Sequence, residues 1–356
     1  MTSTPSSPVD FVRAAVDSEI AEFTERRRAQ LLEIGPELKP VMEALEAMLA
    51  GGKRLRPAFC YWGWRGAGGG DIPEIYPAAA SLEFLQACAL IHDDVIDNSD
   101  TRRGLPATHK RLEELHGRSG WSGSAAGFGQ GSAILIGDLC LAWSDEMYQG
   151  SGLPLEALRA GREPFDAMRT EVMAGQYLDM LEQVRGSESV EASLRVMHYK
   201  AAKYTIERPL HIGAALAGRY PELAGVYSAY GTALGVAFQL RDDLLGVFGD
   251  PEETGKPAGD DLREGKRTLL VAETLERAAA DDAAEFRRHL GDPDLTPETV
   301  DRMRALATGC GALEACERRI DGYVAQATRA LESPLIADEA RSALADLIVA
   351  ATARKH

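Results

Sequence analysis

The sequence predicts an all-α protein, and three observations carry that reading. Apolar residues recur at spacings of three and four along most of the chain. The segments that show this are rich in Ala, Leu, Glu and Arg, and β-branched alternation is nearly absent. In chain order the periodicity predicts helices over 10–34 and 36–50, the second ending at the pair Gly51-Gly52. Beyond the Gly66–Gly70 run come 76–97 and 107–116, then 132–148, 154–183, 190–218 and 222–247. Gly249-Asp250-Pro251 and Gly255-Lys256-Pro257 interrupt the pattern before 267–290 and 297–330, and Ser333-Pro334 does so before 335–354. Gly117–Gly131 is rich in Gly and Ser, with Trp121 and Phe128 embedded. It is expected to be a mobile surface loop, because helical periodicity resumes on both sides.

Bulk properties narrow the function. A hydrophobic content of 45% with 26% charged residues is that of a globular chain, and a net charge of −16 argues against nucleic acid or an anionic membrane surface as partner. No run approaches 18 uninterrupted apolar residues, so no transmembrane helix is expected. The five cysteines (Cys60, Cys88, Cys140, Cys310, Cys316) are odd in number and scattered, mostly inside apolar runs. They read as core residues in a reducing cytoplasm, not as a disulfide framework or zinc site. Residues 1–9 read as a disordered leader and 10–356 as a single all-α domain.

Two acidic segments lie about 150 residues apart, Asp93-Asp94-Val95-Ile96-Asp97 and Asp242-Asp243. Each closes an apolar run, and 84–96 is apolar nearly all round, the pattern of a helix buried inside a bundle. The C-terminal end of a helix carries partial negative charge, so these acids repel the dipole and one another unless a cation joins them. Asp93 and Asp97 share a helical face, and hard divalent cations such as Mg²⁺ bind carboxylate oxygens and bridge to phosphates. A lone D-D-x-x-D serves equally well as a solvated helix end; the second pair, after the apolar run Leu234–Leu240, shifts the balance toward metal.

Cations accompany the acids. Gly51-Gly52-Lys53-Arg54-Leu55-Arg56-Pro57 places three in four positions, and Arg102-Arg103-Gly104 follows Asp97. Arginine offers phosphate two parallel hydrogen bonds, so acids for metal and bases for phosphate in one chain suit a diphosphate site. The region after Asp242-Asp243 adds Lys256, Asp260-Asp261 and Lys266-Arg267. Lys256 is not a P-loop lysine, because the glycine spacing is one residue too long and Pro257 stands where Ser or Thr is required. Gly127-x-Gly129-x-Gly131 lacks the spacing and the strand of a dinucleotide fingerprint. No His-Glu-x-x-His or Gly-x-Ser-x-Gly is present, and His92 reads as a packed or hydrogen-bonding residue rather than a base.

From Gly51 to about Thr268 the chain resembles the trans-isoprenyl diphosphate synthase (polyprenyl synthetase) family. Asp93, Asp94 and Asp97 resemble its first aspartate-rich motif, and Asp242-Asp243-x-x-Gly246 its second, with Gly246 in place of the third aspartate. Lys53, Arg54 and Arg56 resemble the segment for isopentenyl diphosphate; Arg102 and Arg103 match paired arginines for the allylic and the isopentenyl diphosphate. Gly175-Gln176-x-x-Asp179 matches a further motif. Lys200 matches a Lys-Thr motif whose Thr is here Ala201, and Gln86 stands where members carry His or Gln. Lys256 and Lys266 match two lysines downstream of the second motif.

The resemblance implies a single large helical bundle of the isoprenoid synthase type with a central active-site cavity. It also implies a homodimer and about three Mg²⁺ ions per site, held by Asp93, Asp94, Asp97, Asp179, Asp242 and Asp243. The implied catalytic set is Asp93, Asp94, Asp97, Lys200, Asp242 and Lys256. Substrate contacts are implied for Lys53, Arg54, Arg56, Gln86, Arg102, Arg103, Gln176, Lys200, Gln239, Lys256 and Lys266. The implied reaction is head-to-tail condensation of isopentenyl diphosphate with dimethylallyl, geranyl or farnesyl diphosphate. Ala89 and Cys88 lie roughly 6–7.5 Å upstream of Asp93 along the helix. An aromatic residue there closes the pocket at C15 in this family, so two small residues imply a C20 product, geranylgeranyl diphosphate, with Leu85 and Leu82 forming a deeper floor. Farnesyl or longer products are the alternative. A class I terpene cyclase fits less well, since it needs no second diphosphate site, and a non-catalytic subunit is expected to lose an aspartate motif.

Overall fold

In the computed structural model, which describes residues 7–249 and 259–352, helices carry nearly everything that is regular. The described strands are a single two-residue pair, so the all-α expectation holds. Contacts divide the chain into two compact units, 1–164 with 209–221 and 337–340, and 165–208 with 222–336 and 341–356.

The first unit begins with α1 (Pro8–Ile34), whose Ser7 cap accepts a hydrogen bond from the Asp10 amide, with proline at the helix start. Pro8 and Val9, expected in the leader, are therefore helical; residues 1–6 of that leader lie outside the described residues. The stripe Val9, Val12, Val16, Ile20 and Phe23 is buried, and α1 packs on α3 (Leu55–Gly66) and α4 (Ile75–Ile96). Between them a 3₁₀ turn (Pro36–Leu38) leads into α2 (Lys39–Leu49). Sequence periodicity misses α3 altogether. Phe59, Cys60, Tyr61, Trp62 and Trp64 are all buried, so no polar face marks it as a helix. It packs close to the chain at 209–216, where a Cβ on Gly63 would lie 2.6 Å from the Leu210 carbonyl oxygen.

After α4 come β1 (Thr101–Arg102) and β2 (Leu105–Pro106), joined through Arg103 and Gly104, both at positive φ as a type I′ hairpin demands. Next follow α5 (Thr108–Ser119) and α6 (Ala125–Gln149). Here the expectation of a mobile loop over Gly117–Gly131 is corrected. Ser124 caps α6 by accepting from the Gly127 amide, and the glycines serve packing. A Cβ on Gly129 would meet the His109 carbonyl oxygen at 2.3 Å, and one on Gly137 the His92 ring at 2.1 Å. By length and composition α6 is also long and apolar enough to cross a membrane, although its uninterrupted apolar runs are short. It packs along α4 and α5.

The division between units falls at Pro164, inside α7 (Leu155–Arg185). The second unit holds the rest of α7, α8 (Val190–Met197), a π-helix (His198–Glu207) and α10 (Tyr220–Phe248). The short α9 (Arg208–Leu216) precedes α10. Beyond the undescribed 250–258 lie α11 (Asp260–Arg263), α12 (Leu269–Arg277), α13 (Ala280–His289), α14 (Pro297–Gly309), α15 (Ala312–Ala330) and α16 (Asp338–Thr352). The expected 267–290 and 297–330 each divide into two helices, the latter at Gly311 with φ 79°. Leu240, Leu244 and Val247 of α10 join Leu262, Leu270, Phe286, Val300 and Ile320 in one core.

Candidate active site

Within the first unit, α4 has an open side. Gln86, Ala89, Asp93 and Asp97 are half-buried, whereas Leu82, Leu85, Cys88 and Asp94 are buried. Steps of three and four residues set the first group along one stripe. Asp93 and Asp97 therefore present oxygens side by side, with the small Ala89 one turn upstream. Cys88 turns away: its thiol lies 3.7 Å from His92 Nδ1, and burial pushes it up to about 12. His92 itself is packed against Gly137, with Nε2 3.1 Å from the Ile134 carbonyl oxygen.

Asp94 is placed differently from Asp93 and Asp97. Expected as a metal ligand beside Asp93 and Asp97, it has no exposed surface, and its Oδ1 accepts from Arg102 Nε at 2.9 Å. Burial raises its carboxyl above the usual range, and Arg102 opposes that rise. Asp94 thus anchors Arg102, whose Nη2 also lies 3.5 Å from Asp93 Oδ2.

Arg54 is also placed differently from its neighbours Lys53 and Arg56. Of the three cations expected to contact substrate in Lys53–Arg56, it alone is buried. Its Nη1 donates to Glu83 Oε2 at 2.7 Å, Nε to Asp17 Oδ1 at 2.7 Å and Nη2 to the Leu49 carbonyl at 2.8 Å. It ties α1, α2 and α4 together at the start of α3, in the left-handed conformation at φ 51°. Lys53 is exposed and Arg56 half-buried. Arg103 donates to the Ala50 carbonyl at 3.2 Å, and its guanidinium lies beside Gly52, where a Cβ would be 3.4 Å away. Burial holds that guanidinium below the usual arginine range, and repulsion from Arg54, Arg102 and Arg56 adds to the effect despite Glu83. A crowd of cations in so acidic a chain is an anion site in waiting.

The second unit carries the other segment. Asp242 is half-buried on α10, and Asp243, buried, accepts from Gln239 Nε2 at 2.8 Å. Burial first, then the like charges of Asp261 and Asp242, push the Asp243 carboxyl to about 8. Gln239, expected at substrate, is thus engaged with an acid of its own helix. Lys200 Nζ donates to Asp179 Oδ2 at 2.7 Å, and Gln176 lies half-buried on the same helix as Asp179. Lys200 sits in the π-helix, a winding frequent at functional sites. Three glycines let its backbone come close: Cβ atoms would meet Lys200 N at 2.5 Å from Gly175, Glu207 Cα at 2.6 Å from Gly231 and Ala202 Cα at 2.4 Å from Gly235.

Residues that sequence reasoning missed hold this segment in place. Arg208 donates to both Glu171 oxygens at 2.7 and 2.6 Å, and Glu207 accepts from Ser228 and Thr232 at 2.8 and 3.0 Å. Their only signal in the sequence is charge inside apolar runs. Lys266 reaches Glu264 at 2.6 Å and Asp261 at 3.3 Å. Lys256 lies outside the described residues.

Among the described residues no three His, Cys, Asp or Glu side chains form a ready cage for a metal ion. Mg²⁺ does not need one, since it is commonly held by one or two carboxylates together with substrate phosphates. The all-oxygen pair Asp93 and Asp97 fits that mode.

The chain is similar to known proteins. The sequence model of the Polyprenyl synthetase family matches residues 39–307. The chain is 32% identical to a geranylfarnesyl diphosphate synthase of Aeropyrum pernix, over 86% of this chain and 91% of that one. It is 31% identical to a geranylgeranyl diphosphate synthase of Methanosarcina mazei, over 80% of each. A crystal structure of geranylgeranyl pyrophosphate synthase from Corynebacterium glutamicum, complexed with isoprenyl diphosphate and magnesium, is similar with TM-score 0.93 and 41% identity. That match covers 98% of this chain and 100% of the other.

Proposed function

The chain belongs to the polyprenyl synthetase family and is a prenyltransferase, and from that premise we propose that it makes mainly geranylgeranyl diphosphate by Mg²⁺-dependent head-to-tail condensation. The observation that carries this is in the first unit: the open acidic stripe Asp93–Asp97 and the cation cluster around Arg103 belong to one compact body. One partner for both is a diphosphate with its metal.

In the proposed reaction Asp93 and Asp97 would hold Mg²⁺ for the allylic diphosphate, and Asp242 and Asp243 would serve the same reaction. Mg²⁺ held there, about three ions by the family resemblance, would supply Lewis acidity to offset charge on the leaving diphosphate. Arg102, Lys200 and Lys256 add direct positive charge to that group. The C1–O bond breaks, and its electron pair leaves with the diphosphate. The double bond of isopentenyl diphosphate, held by Lys53, Arg56 and Arg103, then attacks C1. The departing diphosphate takes the proton lost from the new adduct, giving an allylic diphosphate one C5 unit longer. Asp94 keeps Arg102 aimed, a task its burial favours over ligation.

Chain length rests on Ala89, the small residue on the open side of α4. We assign C20 rather than the C25 named for the Aeropyrum relative because Leu85 and Leu82 stand one and two turns deeper. A homodimer in the cytoplasm completes the proposal. It is supported by apolar side chains that α6 leaves outward, Leu135 at 65% and Ile134 at 45% exposure. The purified chain, given dimethylallyl and isopentenyl diphosphates with Mg²⁺, is expected to accumulate a C20 diphosphate. A terminal C15 or C25 product refutes the chain length, and no condensation at all refutes the activity. Light scattering on the same sample decides the dimer.

A further inference from the structure

Glu171 holds two cations at once. Its carboxylate lies 3.2 Å from Lys203 Nζ and accepts from Arg208 Nε at 2.7 Å and Nη2 at 2.6 Å. None of the three side chains is more than 19% exposed. Lys203 lies inside the π-helix, and Arg208 is the first residue beyond it. The backbone joins the same two residues, because the Arg208 amide donates to the Lys203 carbonyl, a bond of the i→i+5 kind that defines this winding. In an α-helix, at about 3.6 residues per turn, side chains five apart point about 140° away from each other. The wider coil brings them toward one side, where a single carboxylate reaches both.

Composition does not impose the winding. His198–Glu207 contains Ala201, Ala202, Lys200, Lys203 and Glu207, all good α-formers. The hold comes from α7, where Glu171, Gly175 and Asp179 stand at intervals of four and so share a face. Asp179 takes Lys200 Nζ at 2.7 Å, Gly175 admits the Lys200 backbone, and Glu171 grips the coil beyond it. All of these residues belong to the second unit. We propose that Glu171 is a positioning residue for Lys200: by binding residues 203 and 208 together it holds the π winding that turns the lysine onto the Asp179 face of α7. The proposal deepens the reading above and rests on Lys200 serving the leaving diphosphate. Lys203 has a second acid, Glu207 at 3.5 Å, but Ser228 and Thr232 already donate to that carboxylate. Without the Glu171 charge, the ordinary α winding, which separates 203 from 208, becomes the better coil and rotates Lys200 with it.

The test is a double-mutant cycle in kcat. The full chain is assayed with dimethylallyl and isopentenyl diphosphates and Mg²⁺, as Glu171→Gln, as Lys200→Ala and as the two combined. Lys200→Ala is expected to lower kcat about 10²–10³-fold, the scale of removing a group that stabilises developing charge. Glu171→Gln keeps the shape and removes the charge. It is expected to lower kcat about 10–100-fold, the order of loss when a reacting group is misplaced by about 1 Å, with KM for isopentenyl diphosphate unchanged. The double variant should be no slower than Lys200→Ala, because Glu171 acts through a lysine that is then gone. Arg208→Lys keeps the cation but loses the paired hydrogen bonds, and should show the same loss in smaller measure. Circular dichroism melting identifies a variant that fails to fold, and if Glu171→Gln is one, Arg208→Lys takes its place in the cycle. Parental kcat in the folded Glu171→Gln chain, or losses that multiply in the double variant, overturns the proposal and leaves the activity standing. Parental kcat in Lys200→Ala overturns the role given to Lys200, and the proposal with it.

Discussion

Replacing Arg54 with Met separates a structural role from a substrate role. The guanidinium and the Glu83 carboxylate are each about 6% exposed and meet at 2.7 Å, so removing the cation strands a buried anion. Breaking such a pair from one side costs about 3–5 kcal/mol. The second carboxylate, Asp17, is 46% exposed and adds only about 0–1 kcal/mol. Backbone strain at φ 51° cancels in the comparison, because both residues carry a Cβ. Arg54→Met is therefore expected to lower the urea midpoint by an amount equivalent to about 3–5 kcal/mol. Combined Arg54→Met and Glu83→Met should recover most of that loss, since an apolar pair of similar volume removes the stranded charge. Equilibrium unfolding by far-ultraviolet circular dichroism measures the loss, and the KM for isopentenyl diphosphate is read on the same protein. An unchanged midpoint with a KM raised tenfold or more would refute the reasoning and return Arg54 to the substrate.

Other substitutions probe the remaining parts. Ala89→Phe should shorten the product to C15, and unchanged C20 output in a chromatographic product assay would show that the growing chain does not pass that face of α4. Asp93→Asn should lower kcat by about 10²–10³-fold, the scale of losing a group that stabilises charge in the transition state, with circular dichroism unchanged. Gly175→Ala drives a Cβ to 2.5 Å from the Lys200 backbone nitrogen, where no flexible side chain can yield. A loss of about 1–3 kcal/mol in urea unfolding is expected. The Asp243 carboxyl, pushed to about 8 from an unbound value of 3.8, keeps in the folded chain a proton that the unfolded chain releases. The contribution of Asp243 to the stability of the metal-free protein is then greatest below about pH 4 and is lost as pH rises toward about 8. Asp243→Asn should remove that contribution, and a parent-minus-variant stability difference that does not fall over this interval refutes the assignment.

The acids of α4 were legible because clustered charge at the end of an apolar helix is costly, so its presence needs a partner. Arg54 was not, because Lys53, Arg54 and Arg56 look alike in sequence, and only the fold brings Asp17 and Glu83 to one of them. Glycine misled in both directions. In Gly127–Gly131 it read as a loop, yet there it lets α6 approach the His109 carbonyl; at Gly246 it read as a missing acid, yet there it makes room for the Asp261 carboxylate. Helix α3 left no periodic trace because burial surrounds it, and the π-helix could not be read because its winding leaves composition unchanged.

That winding sets which neighbours the segment addresses. Seven residues of an ordinary α-helix make about two turns, which would bring Lys200 and Glu207 to the same side. The wider i→i+5 coil advances less per residue and falls short of two turns, so the two side chains diverge. Lys200 reaches back to Asp179 on α7 while Glu207 reaches forward to Ser228 and Thr232 on α10. One segment thus serves two helices, and its phase is an address: excising a single residue to restore α-winding would keep every functional group in the chain and deliver the lysine to the wrong partner.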